Sequence, residues 1–199
     1  MGFSTILDIL GATVIGGLLL LILLRLNGSV TENTVIYGND RSLQRSLAET
    51  AVVVEEDLRK MGYCADPFKL TDGMSRVIYA DSSYISFYTD VDLDGNLDSL
   101  AYFISDTTAL SVTRNPRDRI LYRQINTGTP FIVNSNIVQF KLTYFDALGF
   151  ELSSPVASPS MITHLEISFK VEDPEAYDQL YSEAYWQQVR LTSRNLRKR

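Results

Sequence analysis

The most constraining feature of this chain is a run of apolar residues near its start. Residues 6–26 read ILDILGATVIGGLLLLILLRL, and the sixteen residues between Asp8 and Arg25 carry no charge. The first base, Arg25, follows 24 residues that hold a single carboxylate, Asp8. A helix over residues 3–24 would span roughly 33 Å, the thickness of one bilayer core. A soluble helix has one apolar stripe, whereas this segment is apolar all round its circumference. A buried core helix fits the length less well, and a cleaved secretory signal fits the flanks poorly. No basic stretch precedes the run, and no small-x-small site clearly comes after it. The sequence predicts a retained anchor over residues 1–26.

Beyond the anchor the periodicity changes. Residues 30–62 contain no proline, and Leu43, Leu47, Ala51, Val54, Leu58 and Met61 recur at steps of three and four. That spacing puts them on one helical face. Glu55–Arg59 and Glu56–Lys60 are i,i+4 pairs with the acid first, the more favourable order. Gly62 suits a helix end, while Gly28 and Gly38 are weak points within it. Residues 27–63 therefore read as an amphipathic continuation of the helix that packs its stripe on the domain downstream.

From residue 75 the pattern alternates with period two. Strands are expected at 76–80, 84–88, 99–105, 110–114, 120–124, 137–145, 161–171 and 186–192. A hairpin turn is expected at 146–149, leading into 150–152, with a short helix or loop at 174–181. The fold class is therefore α+β: a long N-terminal helix, membrane-embedded in its first half, packed on an antiparallel β-sheet that fills residues 64–199.

Charge divides the chain in the same way. The net charge is −6, but residues 1–26 are neutral and the last ten residues hold five bases and no acid. Residues 27–189 therefore carry −11. An acidic domain of this kind argues against nucleic-acid binding through phosphate neutralisation. The basic end, from Arg190 to Arg199, suits a solvated tail or an acidic neighbour.

One loop has the spacing of a metal site. Residues 90–98 read DVDLDGNLD, which matches the D-x-D-x-D-G start of a calcium loop. Alternate carboxylates on a curling loop can converge on one hard cation, and Gly95 permits the turn. Asp90, Asp92 and Asp94 would supply carboxylates, Asn96 a backbone carbonyl, and Asp98 a ligand directly or through water. The match to an EF-hand stops there, because the twelfth position is Ala101 and the flanks read as strands. The competing reading is a solvated acidic turn, since Asp, Asn and Gly are ordinary turn residues. A bound Ca2+ would have a structural role, as no base or nucleophile lies nearby in sequence.

Catalytic chemistry is not visible. The sequence contains no phosphate-binding G-x-x-x-x-G-K-[ST], no G-x-G-x-x-G and no G-x-S-x-G, and a single histidine, His164, precludes H-E-x-x-H. Cys64 is the only cysteine, so no intramolecular disulfide forms, and a packed thiol is the expected state. Trp186 and the eleven tyrosines suit sheet packing. No enzymatic activity is expected.

These segments together resemble the type IV pilin-like superfamily, in particular minor pilins and the J-type pseudopilins of type II secretion. Gly2-Phe3-Ser4-Thr5-Ile6-Leu7-Asp8 before an apolar helix is similar to the G-F-T-L-I-E signal. Asp57-Leu58-Arg59-Lys60-Met61-Gly62-Tyr63 resembles the family's D-L-R-x-x-G-Y helix ending. The hairpin at 87–96, the F-x-x-x-Y-x-D-x-x-G run from Phe140 to Gly149 and the closing 189–196 are also similar. The resemblance implies that Gly2 precedes the prepilin-peptidase cleavage point and that Phe3 becomes the methylated N-terminus. The family glutamate falls on Leu7 here. Asp8, one residue on and about 100° round the helix, is the candidate for its assembly role. The resemblance further implies other pilin or pseudopilin subunits, the inner membrane with its assembly machinery, and prepilin peptidase as partners. It implies a single inner-membrane pass with an extracytoplasmic domain, periplasmic or on the surface, although Arg25 alone would weakly favour the opposite orientation. The alternative is a non-assembling, single-pass envelope protein with an outer ligand-binding domain.

Overall fold

A computed structural model of the chain describes residues 2–70, 74–110, 113–174 and 182–192. The basic residues 193–199 and most of the segment expected at 174–181 lie outside these. The first helix, α1, spans Phe3–Arg59, and both Gly28 and Gly38 lie in helical backbone. By internal contacts the chain divides into two units, Met1–Arg41 and Ser42–Arg199.

From Phe3 on, the first unit is helical. Thr5–Thr31 is long and apolar enough to cross a membrane, and none of it is buried by the rest of the protein. Thr13, Thr31 and Thr34 turn their hydroxyls back onto carbonyls four residues earlier, so these polar groups are satisfied within the helix.

The second unit holds the end of α1 and one antiparallel sheet. Its strands are β1 (Val77–Ala80), β2 (Tyr84–Thr89), β3 (Asp98–Ile104), β4 (Arg119–Ile125), β5 (Phe131–Phe145), β6 (Glu151–Leu152), β7 (His164–Glu172) and β8 (Glu183–Leu191). The order across the sheet is β1-β2-β3-β4-β5-β7-β8, with β6 paired on β5. Neighbours in sequence are mostly neighbours in space, as short connections favour.

The helical stripe is buried as its periodicity predicts. Leu43, Leu47, Ala51, Val54, Leu58 and Met61 join Ile85, Phe87, Leu100, Tyr102, Leu121, Ile137 and Phe169 in one apolar core. Fully burying side chains of this size stabilises by about 1.5–3 kcal/mol each. Phe140, Phe169 and Trp186 stack inside the sheet at centroid spacings of 5.7 and 5.0 Å. Tyr79, Tyr84, Phe103 and Tyr122 form a second row of rings across β1 to β4, spaced 5.6, 5.8 and 5.4 Å. These seven aromatic residues are thus used in cross-strand pairs.

Three expectations are corrected. The strand expected at 110–114 is absent from the described part of that stretch: Thr107–Leu110 is a 3-10 turn. The Thr113 hydroxyl holds the carbonyls of Leu110 and Asn115, at 2.9 and 3.2 Å, so local bonds replace a ladder. The strand expected at 137–145 begins six residues earlier, at Phe131, because Asn134 points inward and finds partners there. Its Nδ2 donates to Ser46 Oγ at 2.9 Å and Thr50 Oγ1 at 2.8 Å on α1. The strand expected from 161 starts at His164, since Pro159–Met161 forms a 3-10 turn. The expected hairpin at 146–149 is present: Asp146 Oδ1 accepts from the amides of Leu148 and Phe150, both at 2.9 Å.

Candidate metal centre

The acidic loop joins β2 to β3. Thr89 pairs with Asp98 where the hairpin closes, so residues 90–97 leave and re-enter the sheet at one point. Leu93 and Gly95 have positive φ of 64° and 81°, which curls the loop tightly. This geometry brings one carboxylate oxygen from each of Asp90, Asp92 and Asp98 within 4.8 Å of one another.

The three residues differ in setting. Asp90 is fully buried. Its Oδ2 accepts from the amides of Ala65 and Gly95, both at 3.0 Å. Its Oδ1 is buried with no hydrogen-bond partner. Asp98 is half-buried; its Oδ2 accepts from Val91 N at 3.2 Å and its Oδ1 from Asn126 Nδ2 at 2.8 Å. Asp92 is exposed, and its Oδ1 accepts from Asp94 N at 3.2 Å.

Asp94 and Asn96 do not join the trio by their side chains. Asp94 accepts from the Asn96 amide at 2.7 Å and from Asn96 Nδ2 at 2.6 Å, and these bonds hold its carboxyl below the ordinary value. The Asn96 side-chain oxygen accepts from Lys69 Nζ. The motif thus splits into three converging carboxylates and an exposed Asp94–Asn96–Lys69 chain. The donor set is all oxygen, which suits a hard cation.

The loop is tied to the segment that leaves α1. Asp90 N donates to Tyr63 O at 2.8 Å, and Gly62 N to Tyr88 O at 2.7 Å. Thr89 Oγ1 donates to Lys60 O at 3.0 Å. The Cys64 thiol, buried as expected, donates to Gly95 O at 3.4 Å. Gly62 turns at φ +71°, where a side chain would be strained.

The other expected site residues lie in the first unit. Gly2 and Phe3 are exposed, and α1 begins at Phe3. Asp8 is an exposed carboxylate within the apolar span. In the second unit, His164 opens β7, half-buried, opposite Phe145.

Two polar groups escaped the sequence reading. Asp57 Oδ2 accepts from the Tyr102 phenol at 2.5 Å and from Arg123 Nε at 2.7 Å. Burial, and then the Asp57 charge, push the Tyr102 pKa up. Burial opposes the Arg123 charge, but the bond and charge of Asp57 together outweigh it and the pKa is raised. The second group is acidic: Glu172 is buried, accepts from Asn115 Nδ2 at 3.0 Å and forms an ion pair with Arg117 Nη2 at 2.8 Å. Asp118 is buried nearby, and burial, with added repulsion from Glu172 and Asp173, raises its pKa. In the sequence Asp57 stood out only as the start of the D-L-R-x-x-G-Y run and Glu172 only as an acid next to the apolar Val171.

The chain matches no protein-family model and no curated protein.

Proposed function

We propose that this chain is a membrane-anchored structural subunit of a filament, a minor pilin or pseudopilin of a type IV pilus or type II secretion assembly. One observation carries the reading. A single helix has a stretch whose stripe is buried on a sheet and a stretch, Thr5–Thr31, that is predominantly apolar and uncovered. Such a surface needs lipid before assembly and neighbouring copies or related subunits after it. The role is structural rather than enzymatic. Asp8 fits the same account, because a carboxylate within an apolar span is costly without a partner. A neighbouring subunit's N-terminal amine would supply that partner. The protein would then sit in the inner membrane with residues 64–199 outside the cytoplasm, processed by prepilin peptidase at Gly2–Phe3 and drawn into the filament by inner-membrane assembly machinery.

The test is co-expression with a prepilin peptidase and a filament system, followed by mass spectrometry of the N-terminus and crosslinking. The expected result is a mature chain beginning at methyl-Phe3 that crosslinks to other subunits through residues 5–31, with crosslinking lost in Asp8→Ala. An unprocessed chain that remains monomeric in the membrane would refute the filament role and favour a non-assembling envelope protein.

A further inference from the structure

We propose that Asp90, Asp92 and Asp98 bind a divalent cation of the calcium class, and that this ion latches the segment leaving α1 onto the β2–β3 loop. The proposal does not depend on the filament reading, since every residue involved lies within the second unit.

Two independent observations point to an ion. The first is the convergence of three carboxylates within 4.8 Å. Like charges at this spacing repel, and a cation reverses the sign of that interaction. The second is Asp90 Oδ1, an oxygen with no hydrogen-bond partner on a residue that is 0% exposed. Burial of a bare carboxylate oxygen carries a large desolvation penalty, and native structures rarely leave one unsatisfied. Both backbone donors at this residue, Ala65 N and Gly95 N, go to Oδ2. They orient the carboxylate and leave Oδ1 for a ligand of another kind.

The chemistry selects the class of ion. Carboxylate oxygens favour calcium, magnesium or manganese over zinc or copper, which prefer thiolate and imidazole. Cys64, the chain's one thiol, is turned to the Gly95 carbonyl. Calcium accepts six to eight oxygens in irregular geometry, whereas magnesium requires a near-ideal octahedron. Three carboxylates on a loop with one exposed member, Asp92, suit an ion that completes its shell with water.

The position of the site explains the latch. Asp90 is bonded through its own amide to Tyr63 O and through Oδ2 to Ala65 N, on either side of Cys64. Gly95, held by the same Oδ2, receives the Cys64 thiol. An ion on Oδ1 would fix Asp90, and Asp90 fixes the cover over Cys64. Loss of the ion should loosen residues 63–65 and admit solvent to a thiol on a residue that is 7% exposed.

The full chain in detergent tests this with Ca2+, Mg2+ and chelator as probes. Calorimetric titration should find one Ca2+ site, bound more tightly than Mg2+. At about a hundredfold excess over Kd the unfolding midpoint should rise by about 5–10 °C. Cys64 is the sole thiol, so its maleimide labelling reports the latch directly, and Ca2+ should slow labelling by about tenfold to a hundredfold relative to chelator. Asp90→Asn should abolish binding and leave labelling fast in both conditions. Asp92→Asn, on the exposed side, keeps the test valid if the buried replacement fails to fold, and should weaken binding at least about tenfold. Asp94→Asn should bind within about tenfold of the parent. Absence of Ca2+ binding by the folded chain, or unchanged binding in Asp92→Asn, overturns the site. Labelling insensitive to bound Ca2+ overturns the latch.

Discussion

Asp57 links α1 to the sheet through a single carboxylate oxygen, which makes it the sharpest test of how the second unit is held together. Replacement by Asn keeps the shape and an acceptor for the Tyr102 phenol but removes the charge opposite Arg123. At 2.7 Å and an effective dielectric of about 20, the lost attraction is about 6 kcal/mol. The side chains of Arg123 and Asp57 are 19% and 14% exposed, so water recovers part of this by reaching the freed guanidinium. A net cost of about 3 kcal/mol is expected, at the lower end for breaking a buried pair. For a unit of this size that lowers the unfolding midpoint by about 6–12 °C. Trp186 lies in the core stack and gives a fluorescence signal for the transition in detergent-solubilised full chain. Adding Arg123→Met to Asp57→Asn removes the orphaned charge and should recover at least about half of the loss. A single replacement costing less than about 1 kcal/mol, or a double replacement worse than the single, would refute the assignment of this pair as a buried tie.

Three further outcomes rest on particular positions. Leu58→Ala, at a fully buried stripe position, should cost about 2–5 kcal/mol, while Val52→Ala, 64% exposed on the same helix, should change stability by less than about 0.5 kcal/mol; similar urea midpoints for the two would contradict the packing of the stripe. Gly62→Ala should destabilise by about 1–3 kcal/mol, because φ is +71° and the new Cβ would lie 2.9 Å from Arg76 Cγ and Cδ; a neutral effect on thermal unfolding would refute the strain. Asp118→Asn tests the second acidic group. Burial raises the Asp118 pKa above its ordinary 3.8, so between that pH and the raised value the native state holds a proton that the unfolded chain has released. Its contribution is therefore fully present below pH 3.8 and is lost as pH rises through the native value. The variant should melt higher than the parent at pH 7 and close to it at pH 3, and equal melting at both would refute the buried charge.

The acidic loop shows where local sequence is sufficient and where it stops. D-x-D-x-D-G identifies a curling acidic turn, but the chain chooses which carboxylates meet by closing a hairpin. Pairing of Thr89 with Asp98 returns Asp98 to the side of Asp90. Asp94 is close in sequence, yet its oxygens are taken by Asn96, two residues on. Asn134 is a parallel case: it lies outside the strand expected at 137–145, whereas Ser46 and Thr50 on α1 make it an interior strand position. The stretch at 110–114 errs the other way: among its described residues, Leu110 ends a 3-10 turn and the Thr113 hydroxyl bonds to neighbouring carbonyls.

What the sequence determined by itself was most of what periodicity over a single element sets. The uniformly apolar segment, the 3.6-residue stripe from Leu43 to Met61, the alternating strands and the acidic turn all derive from which side chains water excludes or accepts. Tertiary structure alone decided the pairings between distant polar groups. Asp57 meets Tyr102 and Arg123 across 45 and 66 residues, and buried Asp90 bonds to Tyr63 and Ala65, the latter 25 residues away. Neither pairing leaves a periodic trace. Each depends on where the whole sheet places one carboxylate relative to a helix end, and a buried charge is tolerated only where that placement supplies it with a partner.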